Sequence, residues 1–334
     1  MRPSLRQVLF RSAGLDLNFA GGVFSLNNTR TSNPANIPGW SFSRTDTNGI
    51  ATALDLAGNV IQFATGVPRI TNRGILVEEA RTNLLLNSAT LSTQTVTTTA
   101  VAHTLSFYGT GTVTLTGAST AGPLVGTGAN NRVTLTFTPI VGPLLLTVTG
   151  SVTLAQVEVG AFATSPIITT GAAGTRGADS ALVNSLPALP TAFTMGAEWS
   201  REGGTDAATS YRVASLSRVA DDSYSEIYQR HTNNVVRAFQ RTLAANQADV
   251  TLGTGSIGAV QRAAARFVTN DVTGSFNGAA VVSDTVVTMP ASPPLSFAVG
   301  STNGTSAWLN GYIRRVQVLP YAATDAQLQA LTAP

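Results

Sequence analysis

The chain has 334 residues, 43% of them hydrophobic and only 11% charged, with a formal net charge of +3. That length leaves room for two or three domains with sizeable cores. The small, scattered positive charge excludes the basic stripe of a nucleic-acid binder, and the absence of cysteine excludes disulfides and thiolate metal sites.

All basic residues are arginine, which suits forked contacts to anions or simply a GC-rich coding sequence. Residues 1–20 carry Arg2, Arg6 and Arg11 with no continuous apolar stretch. No run approaches the roughly 18 apolar residues of a span. Neither a signal peptide nor membrane insertion is expected. The remaining Thr, Ser, Gly, Asn and Ala favour short strands and polar turns over long helices.

Residues 1–45 open the chain irregularly. Leu15, Leu17 and Phe19 alternate with Asp16 and Asn18, a short strand signature. Pro34 and Pro38 interrupt the polar run that follows. The segment reads as a flexible arm or as an anchor that orders against a partner. Residues 46–90 form a connector of short strands, with a hairpin expected at the turn Ala57-Gly58-Asn59. A strand from Ile75 to Val77 then meets an acidic-basic corner at Glu78, Glu79, Arg81 and Asn83, before apolar Leu84 to Leu86. Glu78, Glu79 and Arg81 read as an ion-pair clamp, fixing geometry more than adding stability if buried, or as a solvated turn.

Residues 91–170 alternate apolar positions with threonine, as in Val113 and Leu115 among Thr112, Thr114 and Thr116. Several such strands separated by Gly and Asn clusters argue a sandwich with apolar residues inward and threonines outward. Residues 171–190 read as a Gly- and Pro-containing linker. Residues 191–334 hold a second series, starting with Phe193, Met195, Ala197 and Trp199 in alternation. This series contains a strong hairpin turn at Asn277-Gly278 and ends in a capped helical turn from Thr324 to Leu328. The expected class is all-β: tandem β-sandwiches behind an irregular N-terminal anchor.

Two stretches resemble known families. The run Gly74 to Ser88, with Gly66-Val67-Pro68-Arg69 and Ser41-Phe42-Ser43-Arg44 ahead of it, resembles a motif of tailed-phage structural proteins. The middle segment, closing with Ala155-Gln156-Val157-Glu158-Val159-Gly160-Ala161-Phe162, is similar to the jelly-roll fibre domain of phage and gene-transfer-agent head spikes. The C-terminal segment resembles a laminin-G or concanavalin-like jelly roll. That resemblance rests on Phe297-Ala298-Val299-Gly300, on Leu309-Asn310-Gly311-Tyr312 leading into Ile313 to Val318, and on Asp325-Ala326-Gln327-Leu328. Together these imply a virion-surface head spike or fibre, assembled in a bacterial cytoplasm. It would dock on capsid or other virion proteins through its N-terminal region and contact host surface polysaccharide with a lectin-like domain. A tail fibre or baseplate decoration would carry the same adhesive role. A homo-oligomer is expected because weak glycan contacts add through avidity, with a trimer as the first symmetry to test.

Glycan cleavage needs two carboxylates flanking one bond. The Glu-x-Asp-x-x-Glu run of some concanavalin-like glycanases is absent from this sequence, so binding rather than capsule depolymerisation is expected. Sugar sites combine aromatic surface with a few polar groups. Asp222, Tyr224, Glu226, Tyr228, Arg230 and His231 form the best such cluster. Trp199 lies on the apolar phase of its strand and belongs to the core. Calcium needs several converging oxygens. Asp221 and Asp222 are the best candidates for Ca2+, and no other cofactor is expected. His103 and His231 have no partner set for zinc or a triad.

Overall fold

The computed structural model describes residues 14–184, 186, 189–204, 210–218, 222–292 and 294–334. All strand pairings between named strands are antiparallel. Two sandwiches with separate cores account for most of the strands, as the alternation anticipates.

The larger sandwich joins both ends of the described chain. One sheet runs in the order Val282–Asp284, Asp271–Phe276, Gln261–Val268, Phe193–Arg201, Gly311–Leu319, Leu15–Asn18, Val23–Leu26, Thr29–Thr31. The other runs Ala245–Thr254, Val235–Thr242, Ser223–Gln229, Tyr211–Arg218, Ser296–Val299, Ser180–Asn184, Trp40–Ser43. Their inward residues share one core that includes Leu15, Leu17, Phe193, Trp199, Phe267, Phe297 and Val316. Trp199 is fully buried and donates its indole N–H to Gln229 at 3.3 Å.

This corrects the segment boundaries at two places. Residues 15–43 are not a separate arm: Leu15 pairs with Val318 and Leu17 with Val316, which buries both leucines completely or nearly so. The expected linker 171–190 contains the strand Ser180–Asn184, whose Ala181 pairs with Val299 on one side and Phe42 on the other. In both cases partners distant in sequence supply the apolar contacts that the local segment lacks. Residues 1–13 of the expected anchor lie outside the described residues.

The smaller sandwich packs Gln94–Thr98, Gly142–Thr149, Thr112–Gly117 and Leu124–Val125 against Gly128–Phe137, His103–Gly109 and Val152–Val159. Val113, Leu115, Leu144 and Leu146 fill its core with Leu105, Phe107 and Val157, while Thr114 and Thr116 face out. His103 is buried in its strand, bonded at Nδ1 to the Val101 carbonyl at 2.8 Å.

Short sheets stitch the connector to both sandwiches. Ile167–Thr169 pairs with Gly49–Leu54, which forms the expected hairpin with Val60–Phe63. Arg81–Asn83 pairs with Gly174–Arg176, and Gly74–Val77 pairs with the start of the last long strand. Gly74 sits at φ +123°, where a Cβ would lie 2.2 Å from the Ile313 carbonyl oxygen, so only glycine lets these strands approach. The Asn277-Gly278 turn has both residues at positive φ, as a two-residue hairpin turn demands. The helix Asp325–Thr332 is capped by Thr324 and Gln327 in a reciprocal box, and Leu328 and Leu331 cover Ala264 and Leu319.

Candidate functional site

The strand Ser223–Gln229 lies inside the seven-stranded sheet, so its side chains divide between two faces. Ile227 points to the core with Ala238 and Leu216 from neighbouring strands. The opposite phase places Tyr224, Glu226 and Tyr228 on the outward face. The next strand over, Val235–Thr242, adds Arg237, Phe239 and Arg241 by the same alternation, in register with Tyr228, Glu226 and Tyr224.

The three aromatic rings form one cluster. Phe239 lies 5.7 Å from Tyr224 and 6.2 Å from Tyr228, the latter edge-on. Arginines frame it. The Arg212 guanidinium stands 5.0 Å from the Tyr228 ring centre, and Arg241 stands 5.8 Å from that of Tyr224. Carboxylates hold these cations in place: Glu226 on Arg212 at 2.7 Å, Asp249 on Arg237 at 2.6 Å and Asp222 on Arg241 at 2.9 Å. Asp249 also accepts from the Tyr228 hydroxyl at 2.8 Å.

Burial assigns different roles within this face. Glu226 is fully buried beneath Arg212 and bonded to Ser215 at 3.0 Å; burial pushes its carboxyl up and Arg212 pulls it back only in part. It supports the face from below rather than touching solvent. Tyr228 is also largely covered, because Arg212 and Asp249 close over it. Burial raises the hydroxyl pKa of both Tyr224 and Tyr228. Tyr224, Phe239, Arg237 and Arg241 remain partly open. Arg230 reaches Asp249 at 3.5 Å at one end, and His231 stands on the turn beyond it.

Asp222 is exposed and committed to Arg241. Asp221, the other candidate calcium ligand, lies outside the described residues. Among the described residues no group of three His, Asp or Glu side chains gathers in metal-binding geometry. Phe239, Arg212, Arg237, Arg241 and Asp249 were missed in the sequence. The signal lay in Val235–Thr242, where Arg237, Phe239 and Arg241 occupy one phase and Val236 and Ala238 the other.

The acidic-basic corner is a different kind of site. Glu78 is buried against two arginines, with Oε2 at 2.7 Å from Arg69 and 2.9 Å from Arg176. Ser165 donates to it through its amide at 2.8 Å and its hydroxyl at 2.6 Å. Burial pushes the carboxyl up, but Arg176, Arg69 and the Ser165 bonds outweigh it and hold it at about 2. Arg69 also pairs with Asp179, and Asp179 lies 3.5 Å from Arg44, which is bonded to Asp46 at 3.0 Å. Asn83 uses its full hydrogen-bonding capacity: its amide donates to the Ala155 and Ile167 carbonyls at 2.9 Å, and its oxygen accepts from Leu85 and Val157. Glu79 pairs with Arg81, whose guanidinium lies 4.9 Å from the Phe162 ring centre.

The Glu78 cluster is therefore sealed inside the junction, tying the connector to the smaller sandwich and to the residues leading into Ser180–Asn184, while the Glu79–Arg81 pair of the expected clamp stays partly exposed. Arg176 and Asp179, unassigned in the sequence, complete it. Their signal was isolation, as the only charges between Val159 and Ala197. Beside the clamp a cleft of about 250 Å³ opens between the sandwiches, lined by Arg73, Tyr108, Arg132, Glu202 and Tyr312 among others. Arg73 lies in its wall, paired with Glu202 at 2.7 Å and 4.2 Å from the Tyr312 ring centre.

No protein-family model matches the chain, and no curated protein is found to match it. Among solved structures it is similar to the CBM40 of the Ruminococcus gnavus IT-sialidase bound to α2,6-sialyllactose, with a TM-score of 0.34 and 16% identity over 44% of this chain and 85% of that one. It is similar to domain 4 of AbnA, a GH43 extracellular arabinanase from Geobacillus stearothermophilus, in complex with arabinotriose. There the TM-score is 0.39 and the identity 13%, over 46% of this chain and 73% of that one. A native heptameric SAP-like pentraxin from Limulus polyphemus gives 0.33 and 10%, over 45% and 74%.

Proposed function

We propose that this chain is a non-enzymatic adhesion protein of a virion surface, a head spike or fibre, that holds host polysaccharide on the outward face of its larger sandwich. The observation that carries the glycan part is the cluster of Tyr224, Phe239 and Tyr228 on one sheet face, framed by Arg212, Arg237 and Arg241. Aromatic surface gives apolar contact to sugar rings, and fixed donors and acceptors at its rim select hydroxyl geometry. Holding rather than cutting fits the carboxylates of this face. Glu226 is buried under Arg212, and Asp249 is engaged by Arg237 and Tyr228. A cleaving pair would need one carboxylate free to donate a proton across an open bond.

The particle part rests on the Glu78-Glu79-Ala80-Arg81-Thr82-Asn83-Leu84 run and its resemblance to tailed-phage structural proteins. Display in several copies, a trimer first, would raise weak sugar contacts through avidity. A glycan array probed with the full chain tests the adhesive reading: retention on a defined polysaccharide without release of shorter products supports it, and uniform non-binding refutes it. Gold-labelled antibody on particles separates head from tail attachment, and particles that carry no label would remove the virion assignment.

A further inference from the structure

We propose that the cleft between the two sandwiches is a second ligand site, one that takes a small carboxylate about the size of a single sugar ring. It is separate from the outward face around Tyr224, and neither reading depends on the other.

One wall is the outer face of the smaller sandwich. Leu105 and Phe107 point into that sandwich's core, so Tyr108, next in the alternation, points out. Arg132 lies directly across from Tyr108 on the neighbouring strand and shares its face. The opposite wall comes from the connector and the larger sandwich. Arg73 precedes Gly74–Val77, whose Leu76 pairs with Tyr312, and Glu202 follows Phe193–Arg201.

The charges of this lining are balanced at every point but one. Glu78 is neutralised behind the wall by Arg69 and Arg176, and Arg73 by Glu202. Arg132 pairs with no carboxylate among the described residues. Its guanidinium donates to the Thr164 carbonyl at 2.6 Å and the Ser106 hydroxyl at 2.7 Å, both neutral acceptors. Glu158, on the third strand of that sheet, feels the Arg132 charge, but its oxygens accept from Thr164 and Gln156 instead.

Unspent hydroxyl donors lie on both walls. Tyr108 is only 5% exposed, yet its hydroxyl has no hydrogen-bond partner among the described residues and borders the cleft. A phenol so nearly enclosed ordinarily finds a partner, and here the cleft is the space that can supply one. The Tyr312 hydroxyl accepts from the Leu54 amide at 2.7 Å and has no acceptor for its own proton among the described residues. Burial pushes its pKa up, so it keeps that proton.

A ligand that completes this lining brings acceptors and one negative charge. A carboxylate carries one charge at neutral pH, and its plane matches a guanidinium. A phosphate carries nearer two, more than Arg132 alone balances. The volume of about 250 Å³ lies below the roughly 300–1,000 Å³ of sites for drug-sized ligands, which limits the occupant to a single ring. The tyrosine rings offer that ring apolar contact.

Calorimetric titration of the full chain at pH 7 with D-glucuronate, glucose and inorganic phosphate tests this. Glucuronate is expected to bind saturably with a dissociation constant at or below about 1 mM. Glucose and phosphate should bind at least about tenfold more weakly. Arg132→Gln should weaken glucuronate at least about tenfold, with thermal unfolding to report an intact fold. Tyr108→Phe should weaken it at least about threefold. That variant decides the matter if Arg132→Gln does not fold, since the hydroxyl it removes bonds nothing in the folded chain. No glucuronate binding up to about 10 mM, glucose or phosphate bound as tightly, or an unchanged affinity in Tyr108→Phe would each overturn the proposal.

Discussion

The corner at Glu78 and the sheet face at Tyr224 use the same chemical vocabulary, carboxylates paired with arginines, yet they differ in what surrounds the ions. At the corner, Arg69, Arg176, Glu78 and Asp179 are essentially closed to water. On the sheet face the arginine side chains of Arg212, Arg237 and Arg241 keep 20%, 19% and 27% of their surface, and aromatic rings lie between them. A sealed ion network fixes the relation of two sandwiches, because its charges are paired with one another inside the protein and out of reach of water. An ion network open on one side fixes side chains while leaving donors for a ligand. Exposure, rather than residue type, separates the structural site from the candidate binding site.

The largest expected effect breaks the sealed side of this contrast. Glu78→Ala leaves Arg69 and Arg176 buried around a missing anion, and should cost about 3–5 kcal/mol in denaturant unfolding. A cost below about 1 kcal/mol, the range of exposed pairs, would mean that the corner is solvated. Acid is the second probe. The Glu78 carboxyl is held at about 2 in the folded chain against an ordinary 4.5. Its contribution is therefore fully present above pH 4.5 and is lost as the pH falls from there towards 2. Unfolding followed by circular dichroism should show stability falling over that window in wild type, with a shallower slope in Glu78→Gln.

The open side should respond in binding rather than in folding. Phe239→Ala removes the ring between the two tyrosines and should weaken glycan binding about tenfold, roughly 1.4 kcal/mol, while the chain stays folded. The smallest effect belongs to Asp222→Asn. Its pair with Arg241 is exposed, so stability should be unchanged by thermal unfolding. Glycan binding should change only modestly, through the freed position of Arg241.

Much of the fold was legible wherever it depended on local alternation. Thr112 to Thr116 and Phe193 to Trp199 declare their buried phase directly, and Asn277-Gly278 declares its turn. Pairing across the chain was not legible: nothing within Leu15 to Asn18 says that Val318 and Val316 lie beside it. The same limit applied to the sites. Tyr224, Glu226 and Tyr228 share a strand phase, so their common face could be read from spacing two. Phe239 and Arg241 belong to the next strand, and their register depends on a turn whose geometry the residues alone do not set. Burial of Glu226 and Tyr228 comes from Arg212, on a third strand. Arg69, Arg176 and Asp179 meet at Glu78 only after three separate segments have folded.

Titration of the full chain with a polysaccharide selected on an array tests whether the outward face around Tyr224 holds glycan. Saturable binding is expected, falling at least about tenfold in the Tyr224→Ala, Phe239→Ala double variant, with unfolding still cooperative. Binding of equal strength in wild type and the double variant would contradict it.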